Sequence, residues 1–181
     1  MKILVPSSVT PNNKSVRTLY ISELIKSLKE ITDLDFFWFL YQPDRVKAVN
    51  LPDSHILDIH DFNNAVDCLT QIRPDCVMIG PRYEPVQYAL SLACKKLNIP
   101  LVSFYYFGYE FDQSESISKH VSHSRNILSS GVPTDSEEQK FFLRRLRFIL
   151  FKMRFLKRTK ELINKRSSFL QDLFSYFNHA F

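Results

Sequence analysis

Three polar clusters in this chain hold residue types able to do chemistry. Ser7, Ser8, Thr10, Asn12 and Asn13 gather hydroxyls and amides between an apolar run and a helical pattern. With the free N–H groups of a helix start, they suit a phosphate or a set of hydroxyls. The same residues also make ordinary turns and caps. Gly80-Pro81-Arg82-Tyr83-Glu84 forms the second cluster. Arg82 suits an anion clamp, and Glu84 suits a base or a hydroxyl acceptor. The competing reading makes Glu84 a helix cap and Arg82 a solvated cation. The third cluster is Phe107-Gly108-Tyr109-Glu110, where Tyr109 offers a stacking ring and Glu110 a general base. Against that, the aromatic run before it reads as core and Glu110 as a surface carboxylate. His60, Asp61, His120 and His123 lack the cysteine or carboxylate partners of a metal site, so they read as exposed loop residues and no metal is expected. No phosphate-binding Gly-rich loop, HExxH, GxSxG or zinc spacing occurs.

The elements that must position these clusters follow from periodicity. Lys2–Pro6 reads as a buried strand, and the next helix covers about residues 14–31, capped by Asn12, Asn13 or Ser15. Asp35–Tyr41, DFFWFLY, is strongly β-prone, and Ser54–Ile59 alternates like a short third strand. Asp61 or Asn63 is placed to cap a helix whose apolar face is Phe62, Ala65, Val66, Leu69 and Ile72. Cys76–Ile79 is apolar throughout, as in a strand buried on both faces. Glu84-Pro85 opens the next helix and Asn98 closes it. Leu101–Tyr106 reads as a further buried strand. The order β-α-β-β-α-β-α-β implies an α/β fold, a Rossmann-like doubly wound parallel sheet. Ligands of such sheets sit at the carboxyl ends of the strands, where all three clusters fall.

Charge divides the chain. The net charge is +5, but residues 140–166 hold eleven Lys or Arg against Glu161 alone, leaving the remainder mildly acidic. Residues 1–110 read as the Rossmann-like domain, 111–136 as a loop or linker, and 137–181 as basic amphipathic helices. The main helix, about 137–166, has an apolar stripe of Phe142, Leu146, Ile149, Met153, Leu156 and Ile163. Its expected membrane contacts are Arg144, Arg145, Arg147, Phe148, Phe151, Lys152, Arg154, Phe155, Lys157 and Arg158, drawn to anionic lipid. A packed partner domain is the alternative. Nucleic acid is not expected, because the aromatics sit on the apolar stripe and not among the cations. The three cysteines lie in predicted core elements without CxxC spacing and read as reduced. No run of 18 apolar residues is present.

The start MKILVPSS, the phrase IRPDCVMIG and the helix-to-strand KKLNIPLVSF resemble the N-terminal half of a GT-B-type glycosyltransferase. Within that fold the chain is similar to the branch of UDP-N-acetylglucosamine 2-epimerase-like and glycan-assembly enzymes. The resemblance implies an acceptor-binding half, with the nucleotide-sugar donor on a second domain or subunit and no cofactor held by this chain. It implies a lipid-linked or glycan acceptor near Ser7, Ser8, Asn12, Asn13, Arg82, Tyr83 and Tyr109, with Glu110 or Glu84 as base. It also implies a cytoplasmic enzyme peripheral to the inner face of the cell membrane. A non-catalytic, membrane-recruiting Rossmann-like scaffold or interaction subunit is the alternative.

Overall fold

The computed structural model describes residues 1–8, 16–45, 54–80, 84–103, 136–163 and 172. Their elements are β1 (Lys2–Ser7), α1 (Val16–Lys29), β2 (Asp35–Leu40), β3 (His55–Asp58), a 3-10 turn (Ile59–Asp61), α2 (Ala65–Ile72), β4 (Cys76–Ile79), α3 (Pro85–Leu97), β5 (Leu101–Ser103) and α4 (Ser136–Leu162). The five strands form one sheet of order β3-β2-β1-β4-β5, and every neighbouring pair is parallel. The architecture is α/β and Rossmann-like, as the periodicity implies.

Alternation along the strands builds two cores. Ile3 and Val5 of β1, Phe36, Trp38 and Leu40 of β2 and Met78 of β4 point to one face, where Leu24, Ile25 and Leu28 of α1 cover them. Leu4, Phe39, Tyr41 and Val77 point to the other face, under α2, α3 and α4. This is why DFFWFLY has no polar alternation: both of its faces are buried.

The helices end where local chemistry dictates. Asn64, and not the expected Asp61 or Asn63, caps α2 by accepting from the N–H of Asp67 at 2.9 Å. Arg73 and Asn98 close α2 and α3 in the left-handed region, at φ 51° and 55°. The expected caps of α1 lie outside the described residues, as do 104–106 of the expected fifth strand.

Two expectations need correction. The described part of β5 is not buried: Leu101 and Val102 are 42% and 45% exposed. Among the described strands it is an edge, paired only to β4. Nor does α4 present its whole apolar stripe to a membrane. Met153, Phe155 and Leu156 are buried, and Phe148 and Phe151 pack on the core shared with α2 and α3.

Candidate functional site

Strand order reverses between β1 and β4, the kind of switch point beside which open α/β sheets bind ligands. Among the described residues the register between β1 and β4 runs from Ile3–Cys76 to Leu4–Val77. The carbonyl of Met1 accepts from Asp35 of β2 and that of Ser7 from Tyr41 just after β2, whereas that of Lys2 accepts from Asp75 just before β4, so the backbone groups of even-numbered β1 residues turn towards β4. Pro6 therefore turns a nitrogen without a hydrogen towards the β4 side, so it gives no N–H to that edge.

Around that switch point the side chains form a fixed edge. Ser7 ends β1 and is buried, its carbonyl accepting from Tyr41 N–H at 3.0 Å. Ser8 is exposed, and its carbonyl accepts from Gln42 Nε2 at 3.4 Å. Buried Gln87 of α3 donates from Nε2 to the Tyr41 hydroxyl at 3.1 Å and accepts at Oε1 from Gly80 N–H at 2.9 Å. One amide thus ties the end of β2 to the end of β4 and fixes where the chain leaves Gly80. At the next strand end, Asp58 accepts from the N–H of His60, whose ring packs edge-on against Phe151 at 4.6 Å.

Glu84 has the capping role that competed with a catalytic one. Its Oε2 accepts from the N–H groups of Val86 and Gln87 at 2.8 and 3.3 Å, satisfying two orphan donors of α3. Its Oε1 lies 2.8 Å from Nζ of Lys152. The pair is largely buried, with side-chain exposures of 15% and 8%, and the Lys152 ammonium also lies 4.8 Å from the Phe148 ring centre. A carboxylate bound to two backbone donors and an ammonium holds a helix and an ion pair together. That arrangement does not point it at a substrate hydroxyl.

Lys152 is also a correction to the membrane-contact set. Together with Phe155 it is buried, so neither side chain reaches a bilayer. Phe148 and Phe151 are partly buried against the core. Arg144, Arg145, Arg147, Arg154, Lys157 and Arg158 are exposed. Arg144 pairs with Asp44, and Lys157 lies 3.7 Å from Glu161. Asn12, Asn13, Arg82, Tyr83, Tyr109, Glu110, His120 and His123 fall outside the described residues.

The sequence signals for what was missed differ in strength. Gln87 stands out as an amide on the otherwise apolar face of Val86, Ala89, Leu90 and Ala93. Lys152 gives no such signal, since a lysine in a basic helix looks solvated. Thr159, wholly buried, accepts at Oγ1 from Ala65 N–H at 3.0 Å and donates to the Phe155 carbonyl at 2.9 Å. It joins α4 to the first turn of α2 across 94 residues of sequence.

The three cysteines are free thiols. Burial pushes Cys68 far up, with the Asp67 charge adding to it. Burial pushes Cys94 up to about 12, and Cys76 is raised by burial and then by Asp75. Thiols held protonated in this way are poor nucleophiles and poor metal ligands. Among the described residues no group of three or more His, Cys, Asp or Glu is placed to hold a metal ion.

No family model, curated protein or solved structure matches the chain. Among the described residues no helix is long and apolar enough to cross a membrane.

Proposed function

We propose that this chain is the acceptor-side half of a GT-B-type glycosyltransferase, working at a membrane surface with a separate domain or subunit that holds the nucleotide-sugar. One observation carries the reading. The five-stranded parallel sheet has its switch point between β1 and β4, where the strands end at Ser7 and Ile79, beside Ser8 and Gly80. Open α/β sheets bind ligands at such a switch point. The acceptor hydroxyl would attack the anomeric carbon of the sugar, passing its proton to a base as the nucleoside diphosphate leaves. Glu84 is dropped from that role because its carboxylate caps α3 and meets Lys152. Glu110 remains the proposed base and Arg82 the proposed anion clamp.

The test is to isolate the full chain with its natural partners and assay sugar transfer from a panel of nucleotide-sugars to extracted lipids and glycans. Transfer that falls at least a hundredfold in Glu110→Gln supports the reading. Absence of transfer with every donor, from a preparation containing a nucleotide-binding partner, overturns it.

A second reading, a non-catalytic Rossmann-like interaction subunit, is favoured by one observation. Glu84 and Asp58, two of the carboxylates described at this edge, both accept backbone N–H bonds that hold local structure. That reading predicts that Glu110→Gln and Arg82→Ala leave the cellular role intact.

A further inference from the structure

The course of α4 gives its two ends different surroundings. Because α3 follows β4, its first turn lies at the carboxyl edge of the sheet and its last turn at the amino edge. Lys152 pairs with Glu84 at the first turn. The Leu162 carbonyl accepts from Lys96 Nζ at 2.7 Å, beside the last turn. Helix α4 therefore runs parallel to α3, from the carboxyl edge towards the amino edge, and everything before Lys152 continues past the carboxyl edge. Two contacts confirm the direction: Phe151 meets His60 just beyond β3, and Arg144 meets Asp44 just beyond β2. From Lys152 back to Ser136 the helix covers roughly four turns, or about 24 Å.

The surface of this overhang is both apolar and cationic. Leu143 and Leu146 are 49% and 39% exposed. Lys140, Arg144, Arg145 and Arg147 are exposed around them, and Arg145 and Arg147 have no ion-pair partner among the described residues. Lys140, Leu143 and Arg147 share one face by helical spacing, with Leu146 beside Leu143. Bare leucines ringed by cations complement a surface that is anionic outside and apolar just beneath. An anionic lipid bilayer has that structure. Nucleic acid would meet the charges but leave the leucines without an apolar phase.

We infer that the overhanging first half of α4, Lys140 to Arg147, is the membrane contact, and that it turns the carboxyl edge of the sheet, with the switch point between β1 and β4, towards an anionic bilayer. This rests on the peripheral-membrane reading above and deepens it, naming the docking residues and the face presented. Arg154, Lys157 and Arg158, named in the expected contact set, lie outside the contact. From Leu146 to Arg154 the helix axis advances about 12 Å, more than a Debye length at 0.1 M salt.

The test is co-sedimentation of the full chain with vesicles of phosphatidylcholine, with and without one-third phosphatidylglycerol. The intact chain should bind only the anionic vesicles. Arg145→Glu with Arg147→Glu should weaken that binding at least tenfold. Leu143→Ser with Leu146→Ser should weaken it comparably, while Arg154→Glu with Arg158→Glu should change it less than twofold. Circular dichroism checks that each variant is folded. A Leu146→Trp variant should shift its emission to the blue on anionic vesicles against a constant background from buried Trp38. Equal loss from the Arg154 and Arg158 pair overturns the assignment, as does steeply salt-dependent oligonucleotide binding without vesicle binding. The readout needs no sugar transfer. Vesicle binding without transfer would sink the glycosyltransferase reading alone, and transfer to a soluble acceptor without vesicle binding would sink this inference alone.

Discussion

On the inner side of α4, Lys152 and Lys160 each face a carboxylate and an aromatic ring. Lys152 has Glu84 and Phe148; Lys160 has Asp172 and, 5.5 Å from its ammonium, Tyr88. On the outer side, Arg154 and Arg158 face solvent with no ion-pair partner among the described residues. The same helix thus uses one sign of charge in two ways. Buried cations are strongly coupled to their partners, because removing one leaves a desolvated carboxylate behind. Exposed cations contribute little to folding and stay available for a long-range field. Net charge in a sequence therefore says nothing about which cations belong to the fold.

The sharpest way to break this comparison is Lys152→Met. It should destabilise the protein by about 2–4 kcal/mol in urea unfolding, since Glu84 loses its cation while still largely buried. Adding Glu84→Gln should recover part of that loss. A Lys152→Met protein of unchanged stability would mean the pair is effectively solvated. Next in size is Thr159→Val, which removes a buried acceptor from Ala65 N–H and should cost about 1–3 kcal/mol. Asn64→Ala tests the local cap of the same helix and should cost about 1 kcal/mol. If it cost more than Thr159→Val, the long-range tie would be the minor of the two. Smallest is Arg154→Ala with Arg158→Ala, expected within about 0.5 kcal/mol of the parent by thermal melting. A larger loss would move these arginines to the inner class.

Legibility follows the same division. The strands and helices of the sheet were readable because burial on two faces leaves unbroken apolar runs, as in DFFWFLY and CVMI, and because Pro85 and Asn98 mark the ends of α3. The exposure of β5 was not readable, since LVS has the same composition as a central strand and its position in the sheet is a tertiary fact. At the candidate site, the sequence marks Glu84 as a cap or a base, and the contact with Lys152 that favours the cap is a tertiary fact. The packed face of α4 was misjudged because hydrophobic periodicity counts Leu and Phe alone. The face that docks includes Lys152, Thr159 and Lys160, buried polar groups whose partners lie on other elements.

The tie between Thr159 and Ala65 also bears on how the chain is made. At a synthesis rate of about 5–20 residues per second, Thr159 emerges roughly 3–11 s after the last residue of β5. During that interval the sheet and the first three helices exist without the helix that covers Phe39, Leu69 and Leu90. A nascent chain waiting in that state exposes apolar surface that the finished protein hides, and it closes only when a segment from far along the message arrives. Ribosome pausing between these points, or a shortage of holding chaperones, should therefore lower the yield of folded protein while leaving the stability of the finished molecule unchanged.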